Sequence, residues 1–188
     1  MMRRRRQDAA AALAQSPRVP SRGVAGVLGV DPGLDRTGYA VVSVEAGRIV
    51  DAGVIRSTPQ RPLAERLGEI EAGIEEVLSE HPVGLLVVED LFAHYRHPRT
   101  AILMGHARGV ILLAAARRGI DVVSVSATMI KKLLTGNGHA SKVQMQRAIM
   151  ATFGLSSRPE PADVADALAA ASYAVFAGRC RGVPRGVR

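Results

Sequence analysis

Hydrophobic positions along this chain change period several times, and each change marks an element. Apolar, β-rich runs at about residues 24–30, 38–44 and 48–57 are separated by glycine-containing turns, a pattern that predicts three adjacent antiparallel strands. From Pro62 to Glu80 the period lengthens, with Leu63, Leu67, Ile70, Ile74, Val77 and Leu78 at helical spacing and Glu and Arg filling the other face. Beyond it the pattern predicts a strand at 84–89, a helix at 99–118, a strand at 120–125 and helices near 127–134, 141–153 and 162–177. Strands alternating with helices imply crossover connections, so part of the sheet is expected to be parallel. The helix over 99–118 has little purely polar surface, since Ile102, Leu103, Met104, Val110, Ile111, Leu112 and Leu113 are spread around it. Such a helix needs cover on several sides. Core packing supplies it in one reading, and a second copy of the chain across a two-fold axis in the other.

At 188 residues, 47% of them hydrophobic, the chain suits one well-buried domain. Punctuation by Pro17, Pro20 and Gly23 sets the expected division: a disordered basic arm over 1–23, a folded body over 24–177 and a basic tail over 178–188. There is no run of 18 apolar residues and no signal-peptide core after the opening arginines, so the expectation is a cytoplasmic protein with no membrane partner. An organellar transit peptide shares the arm's Arg-rich, acid-poor composition. The lone Cys180 cannot form an internal disulfide. The net charge of +8 is unevenly spread. Residues 45–90 hold ten acids and four Arg, whereas 91–159 hold ten Lys or Arg and only Asp121. One half of the body is therefore expected to face a polyanion.

Against that basic half, four carboxylates stand at positions suited to chemistry. Asp31 ends the apolar run 24–30 and precedes Pro32-Gly33; Glu89 ends the run Leu85-Leu86-Val87-Val88. Carboxyl ends of strands are where open α/β sheets place functional groups. Asp163 and Asp166 are three residues apart, which puts both on one face of a helix. Each has a simpler reading. Asp31 can be a turn former and Asp163 a helix N-terminal acid, while Glu89 and Asp166 fall in apolar surroundings where a carboxylate needs a partner. Jointly they read as a cage for two divalent metals, because four acids brought together without cations would repel.

The segments Val27-Leu-Gly-Val-Asp-Pro-Gly-Leu-Asp-Arg-Thr-Gly-Tyr39, Val88-Glu-Asp-Leu-Phe92, Gly105-His-Ala-Arg-Gly109, Thr135-Gly-Asn-Gly138 and Ala162-Asp-Val-Ala-Asp-Ala-Leu168 together resemble the RuvC family of Holliday-junction resolvases, the crossover junction endodeoxyribonucleases. The resemblance spans about residues 26–176. It implies a ribonuclease H-like α/β fold, a five-stranded mixed sheet flanked by helices. It also implies that Asp31, Glu89, Asp163 and Asp166 hold two Mg²⁺ per subunit, with Mn²⁺ a substitute, and that the products carry a 5′-phosphate and a 3′-hydroxyl. By the same resemblance Phe92 is the aromatic that inserts beside bases at the junction centre, and Lys131 and Lys142 contact phosphates near the scissile bond, with Lys132 assisting. The implied partners are four-way junction DNA, a second copy of the chain in a homodimer, and a RuvA-RuvB branch-migration complex. Asp90, His139 and the long basic N-terminal arm depart from the family pattern. Strand alternation would turn Asp90 away from the metals.

Three other functions fit parts of this pattern. A nuclease of the same fold acting on structured RNA would carry the same acids, because a metal cage reads phosphodiesters and not sugars. A nonenzymatic junction-binding protein would use the basic half and both Arg-rich ends, but has no reason to place four carboxylates beside a phosphate-binding surface. An actin-like ATPase also opens with Gly-x-Asp-x-Gly, yet needs duplicated domains for which this chain is too short.

Overall fold

The computed structural model describes residues 26–90 and 98–177. Phe92, His94, His97, Cys180 and the two arginine-rich ends lie outside the described residues. The elements run β1 (Gly26–Asp31), β2 (Arg36–Ser43), β3 (Arg48–Arg56), α1 (Leu63–Glu80), β4 (Val83–Glu89), α2 (Pro98–Arg117), β5 (Asp121–Val125), α3 (Ala127–Thr135), α4 (Lys142–Phe153) and α5 (Ala162–Ala177).

Connection length decides strand direction. The short links between β1, β2 and β3 make those pairings antiparallel, and Gly47 at φ +58° supports the β2–β3 turn. Helix-length connections through α1 and α2 make β1–β4 and β4–β5 parallel. The resulting order β3-β2-β1-β4-β5 is the five-stranded mixed sheet expected of a ribonuclease H-like fold.

Alternation along the central strands divides the core into two layers. Val27, Ala40, Val42, Leu85 and Val87 point to one face, against Val164, Ala167, Leu168 and Ala171 of α5. Leu28, Val30, Val41, Leu86 and Val88 point to the other, against Ile70, Ile74 and Val77 of α1 and Ala107 and Ile111 of α2. Strands covered on both faces read as unbroken apolar runs, as these do. Small residues let α5 lie almost on the sheet. A Cβ on Gly29 would stand 2.1 Å from the Ala167 carbonyl oxygen, and one on Gly38 would stand 2.0 Å from that of Asp163.

Helix α2 is covered only in part. Ala107, Ile111, Ala114 and Ala115 are buried, and Arg118, just past its end, meets Glu75 of α1 at 2.7 Å. By length and composition alone α2 could cross a membrane, but this face belongs to the core. The opposite stripe stays open: Ile102 is 61% and Leu113 48% exposed. Gly105 and Gly109 lie between them with nothing among the described residues near the position of a Cβ.

Two boundaries differ from the periodicity in a way that matters. Strand β1 runs through Asp31, which pairs with Gly38, and β2 starts at Arg36, two residues before its apolar run. Thr37 Oγ1 donates to the Gly33 carbonyl at 2.8 Å, holding the intervening turn closed with polar groups that hydropathy does not register.

Candidate active site

The same alternation carries the functional side chains. Asp31 continues the face of Val27 and Gly29, and Glu89 continues that of Leu85 and Val87, so both project toward α5 from the carboxyl end of the parallel strands. The first turn of α5 brings Asp163 and the second brings Asp166. Three segments remote in sequence thus converge, and their charges act on one another.

Burial pushes the Asp31 carboxyl up to about 7, reinforced by Asp166, Glu89 and Asp163 and opposed by Lys142. Glu89 is raised chiefly by burial and then by Asp166. Asp166, although an exposed residue, is also raised by desolvation and by Asp163; Lys142 and Lys131 pull the other way. Acids that raise one another when packed together are the signature of a site built for added positive charge. The donors are all hard carboxylate oxygens, which suits Mg²⁺ or Mn²⁺.

Beside the acids lies a cleft of about 210 Å³, bordered by Glu89, Lys131, Lys142, Gln146 and Asp166 and floored by Ile130, Met145 and Ile149. Two capped helices hold its lysines. Ser126 accepts from the Met129 N–H at the start of α3, and Ser141 and Gln144 form a reciprocal capping box at the start of α4. Lys132, one residue from Lys131, is exposed and outside the lining. Phe92 falls outside the described residues. His139 is exposed, its N–H donating to Asn137 Oδ1 at 2.9 Å.

Two basic residues to which the sequence reading gave no role reach the acids' surroundings. Arg36 lies on the same face of β2 as Gly38, and its Nη2 meets Asp163 Oδ2 at 2.6 Å. Arg108 of α2 approaches Asp90 at 3.5 Å and also donates to Ser124 Oγ. Asp90 is therefore engaged on the α2 side of the sheet, while its charge contributes to the raised Glu89. Periodicity hides both arginines, because Arg36 precedes the apolar run of β2 and Arg108 is one polar position among others in the helix over 99–118. The spacing of Arg36 and Gly38 across from Asp31 was the available signal.

Asp51, Glu80 and His81 form a separate trio with ligand atoms within 4.8 Å of one another. They lie at the opposite end of the parallel strands, where β4 begins. Asp51 Oδ2 there accepts from Tyr39 Oη at 3.2 Å and meets His81 Nε2 at 3.2 Å, so its lone pairs serve to pin β3 to the end of α1.

The chain matches the sequence model of "Crossover junction endodeoxyribonuclease RuvC" over residues 27–173. A RuvC from Rhodopirellula baltica is 55% identical over 145 residues, covering 76% of this chain and 82% of its own. The Thermus thermophilus RuvC structure is similar at 35% identity with a TM-score of 0.75, covering 81% of this chain and 95% of its own. The same Thermus protein in complex with a Holliday junction substrate gives a TM-score of 0.77, covering 82% and 95%. With the family model spanning nearly the whole described body, the chain belongs to the RuvC family of crossover junction endodeoxyribonucleases.

Proposed function

We propose that this protein resolves four-way DNA junctions by paired, symmetric, Mg²⁺-dependent incisions. The observation that carries the reading is the convergence of Asp31, Glu89, Asp163 and Asp166 beside a cleft flanked by Lys131 and Lys142. The similarity to a relative solved with a Holliday junction supplies the substrate.

Asp31, Glu89, Asp163 and Asp166 would hold two divalent ions at the strand ends. Bound there, such ions supply an activated water and neutralise charge on the attacked phosphate and the leaving oxygen. The protein's own groups do the rest. Asp31 must be ionised to bind metal, and its carboxyl, raised to about 7, gives up a proton when metal binds near neutral pH. Lys131 and Lys142 offset the repulsion between the acids and the incoming phosphates. Cleavage is expected to leave a 5′-phosphate and a 3′-hydroxyl, with no covalent intermediate.

Alanine at Lys131 or Lys142 is expected to weaken junction binding for every sequence and to lower the slope of log K against log salt by about 1 each. Binding isotherms at several salt concentrations check this. A slope equal to wild type removes that lysine from the phosphate contacts. Lys132→Ala serves as the comparison, since its side chain lies outside the cleft.

A junction has two-fold symmetry, and paired incisions need two sites. The open stripe of α2, with Gly105 and Gly109 between Ile102 and Leu113, lets a second α2 approach closely, and burying such a stripe is the usual basis of an isologous interface. Leu113→Glu is expected to convert a dimer to monomer in sedimentation and to uncouple the two incisions. A wild-type protein that stays monomeric at micromolar concentration would remove this element. A RuvA-RuvB branch-migration complex is the further partner that family membership suggests. Parallel assays on junction DNA, duplex DNA and structured RNA separate the resolvase from an RNA-directed nuclease of the same fold.

A further inference from the structure

The described acids are not surrounded by lysines alone, and one arginine touches them directly. Arg36 and Gly38 lie on the same face of β2, two residues apart. At Gly38 the missing side chain admits the backbone of Asp163, and at Arg36 the side chain reaches across to that residue's carboxylate. We propose that Arg36 is a resident counter-cation for Asp163, a positioning residue that competes with divalent metal for this carboxylate and so sets the metal affinity of the site.

The contact is close but incompletely built. Nη2 meets Oδ2 at 2.6 Å as a charge contact lacking hydrogen-bond alignment, and the buried Nε has no hydrogen-bond partner among the described residues. A guanidinium normally spends several of its five donors on fixed acceptors. One held mainly by a single carboxylate's charge can be displaced when a doubly charged ion arrives. Arginine cannot yield by losing its proton, so displacement has to be a movement of the side chain. Arg36 is 38% exposed and has solvent to move into. Its presence also offsets repulsion in a cluster where Asp31, Glu89 and Asp166 are all raised by burial and by neighbouring acids. The lysines act on the other three acids, Lys142 on Asp31 and Asp166 and Lys131 on Glu89 and Asp166. Among the described residues, Arg36 is the cation in contact with Asp163.

This inference rests on the metal-cage reading, and its test separates the two. Mn²⁺ alone is titrated calorimetrically into the full-length wild type, Arg36→Met, Arg36→Lys and Asp31→Asn at pH 8. Melting temperatures are measured in parallel with chelator and with saturating Mn²⁺. Arg36→Met is expected to bind Mn²⁺ about tenfold more tightly than wild type, while melting lower in chelator and gaining more from the metal. Arg36→Lys keeps the charge and is expected to stay within about twofold of wild type. Unchanged or weaker Mn²⁺ affinity in Arg36→Met, with wild-type binding intact and lost in Asp31→Asn, overturns the role of Arg36 and leaves the cage standing. Absence of Asp31-dependent binding in the wild type overturns both.

Discussion

Asp31→Asn is expected to reduce junction cleavage by on the order of 10³-fold, the loss that follows when one preorganised charge-stabilising group is removed from a reacting phosphate's site, while junction binding persists. The same change is expected to stabilise the metal-free protein at pH 8. Asp31 has a folded pKa of about 7 against an ordinary value of 3.8, so between those values the folded state binds more protons than the unfolded chain. Its favourable contribution is complete below pH 4 and is lost as pH rises through 7. Asparagine removes the charge and keeps the shape. At about 1.4 kcal/mol per pKa unit, discounted for the partial exposure of the carboxyl, the gain at pH 8 is roughly 2–3 kcal/mol and vanishes near pH 4. Thermal melts in chelator across pH 4–8, paired with a gel assay on junction DNA, check both halves. Loss of binding together with cutting, or a variant less stable than wild type at pH 8, would make Asp31 a structural residue and not a metal ligand.

Gly38→Ala is the second large expected effect, and it acts through the backbone. The new methyl would stand 2.0 Å from the carbonyl oxygen and 2.5 Å from the carbonyl carbon of Asp163, far inside contact distance, and no flexible side chain is there to give way. Helix α5 must lift from β2 at the turn that carries Asp163. Overpacking of this kind costs typically 1–3 kcal/mol, and a displacement of about 1 Å at reacting groups costs on the order of 10²-fold in rate. Gly38→Ala is thus expected to fold with a lowered melting temperature and to cleave at about a hundredth of the wild-type rate. Gly68→Ala, on the exposed face of α1, is the control, since its new methyl would meet nothing among the described residues within 4 Å. Equal melting temperatures and equal rates in both variants would show that α5 does not rest on the sheet as described.

Much of this arrangement was legible in the sequence because the central strands are buried on both faces. Val24 to Val30 and Leu85 to Val88 announce themselves as unbroken apolar runs, and an acid at the end of such a run has only a few uses. The Asp163–Asp166 spacing likewise implies a shared helix face. What stayed hidden was set by tertiary contact. The polar turn from Pro32 to Thr37 is held by a side-chain hydrogen bond, so hydropathy placed the start of β2 at 38 and left Arg36 out of the site. Arg108 gave no sign that it would engage Asp90 and Ser124, residues from two other strands' ends. The apolar floor of the cleft, Ile130, Met145 and Ile149, read as ordinary helix core. The trio Asp51, Glu80 and His81 shows the reverse case, ligand-type residues brought together far from the carboxyl ends of the parallel strands by the packing of β3 against α1.

If the four acids hold divalent metal for hydrolysis of junction DNA, the products of an end-labelled four-way junction incubated with Mg²⁺ or with chelator have a defined pattern. Two symmetrically placed nicks bearing 5′-phosphate and 3′-hydroxyl ends are expected, formed with Mg²⁺ and absent both in chelator and in Asp31→Asn. Cutting that proceeds in chelator, or an intact junction under Mg²⁺ alongside cleavage of structured RNA, would contradict it.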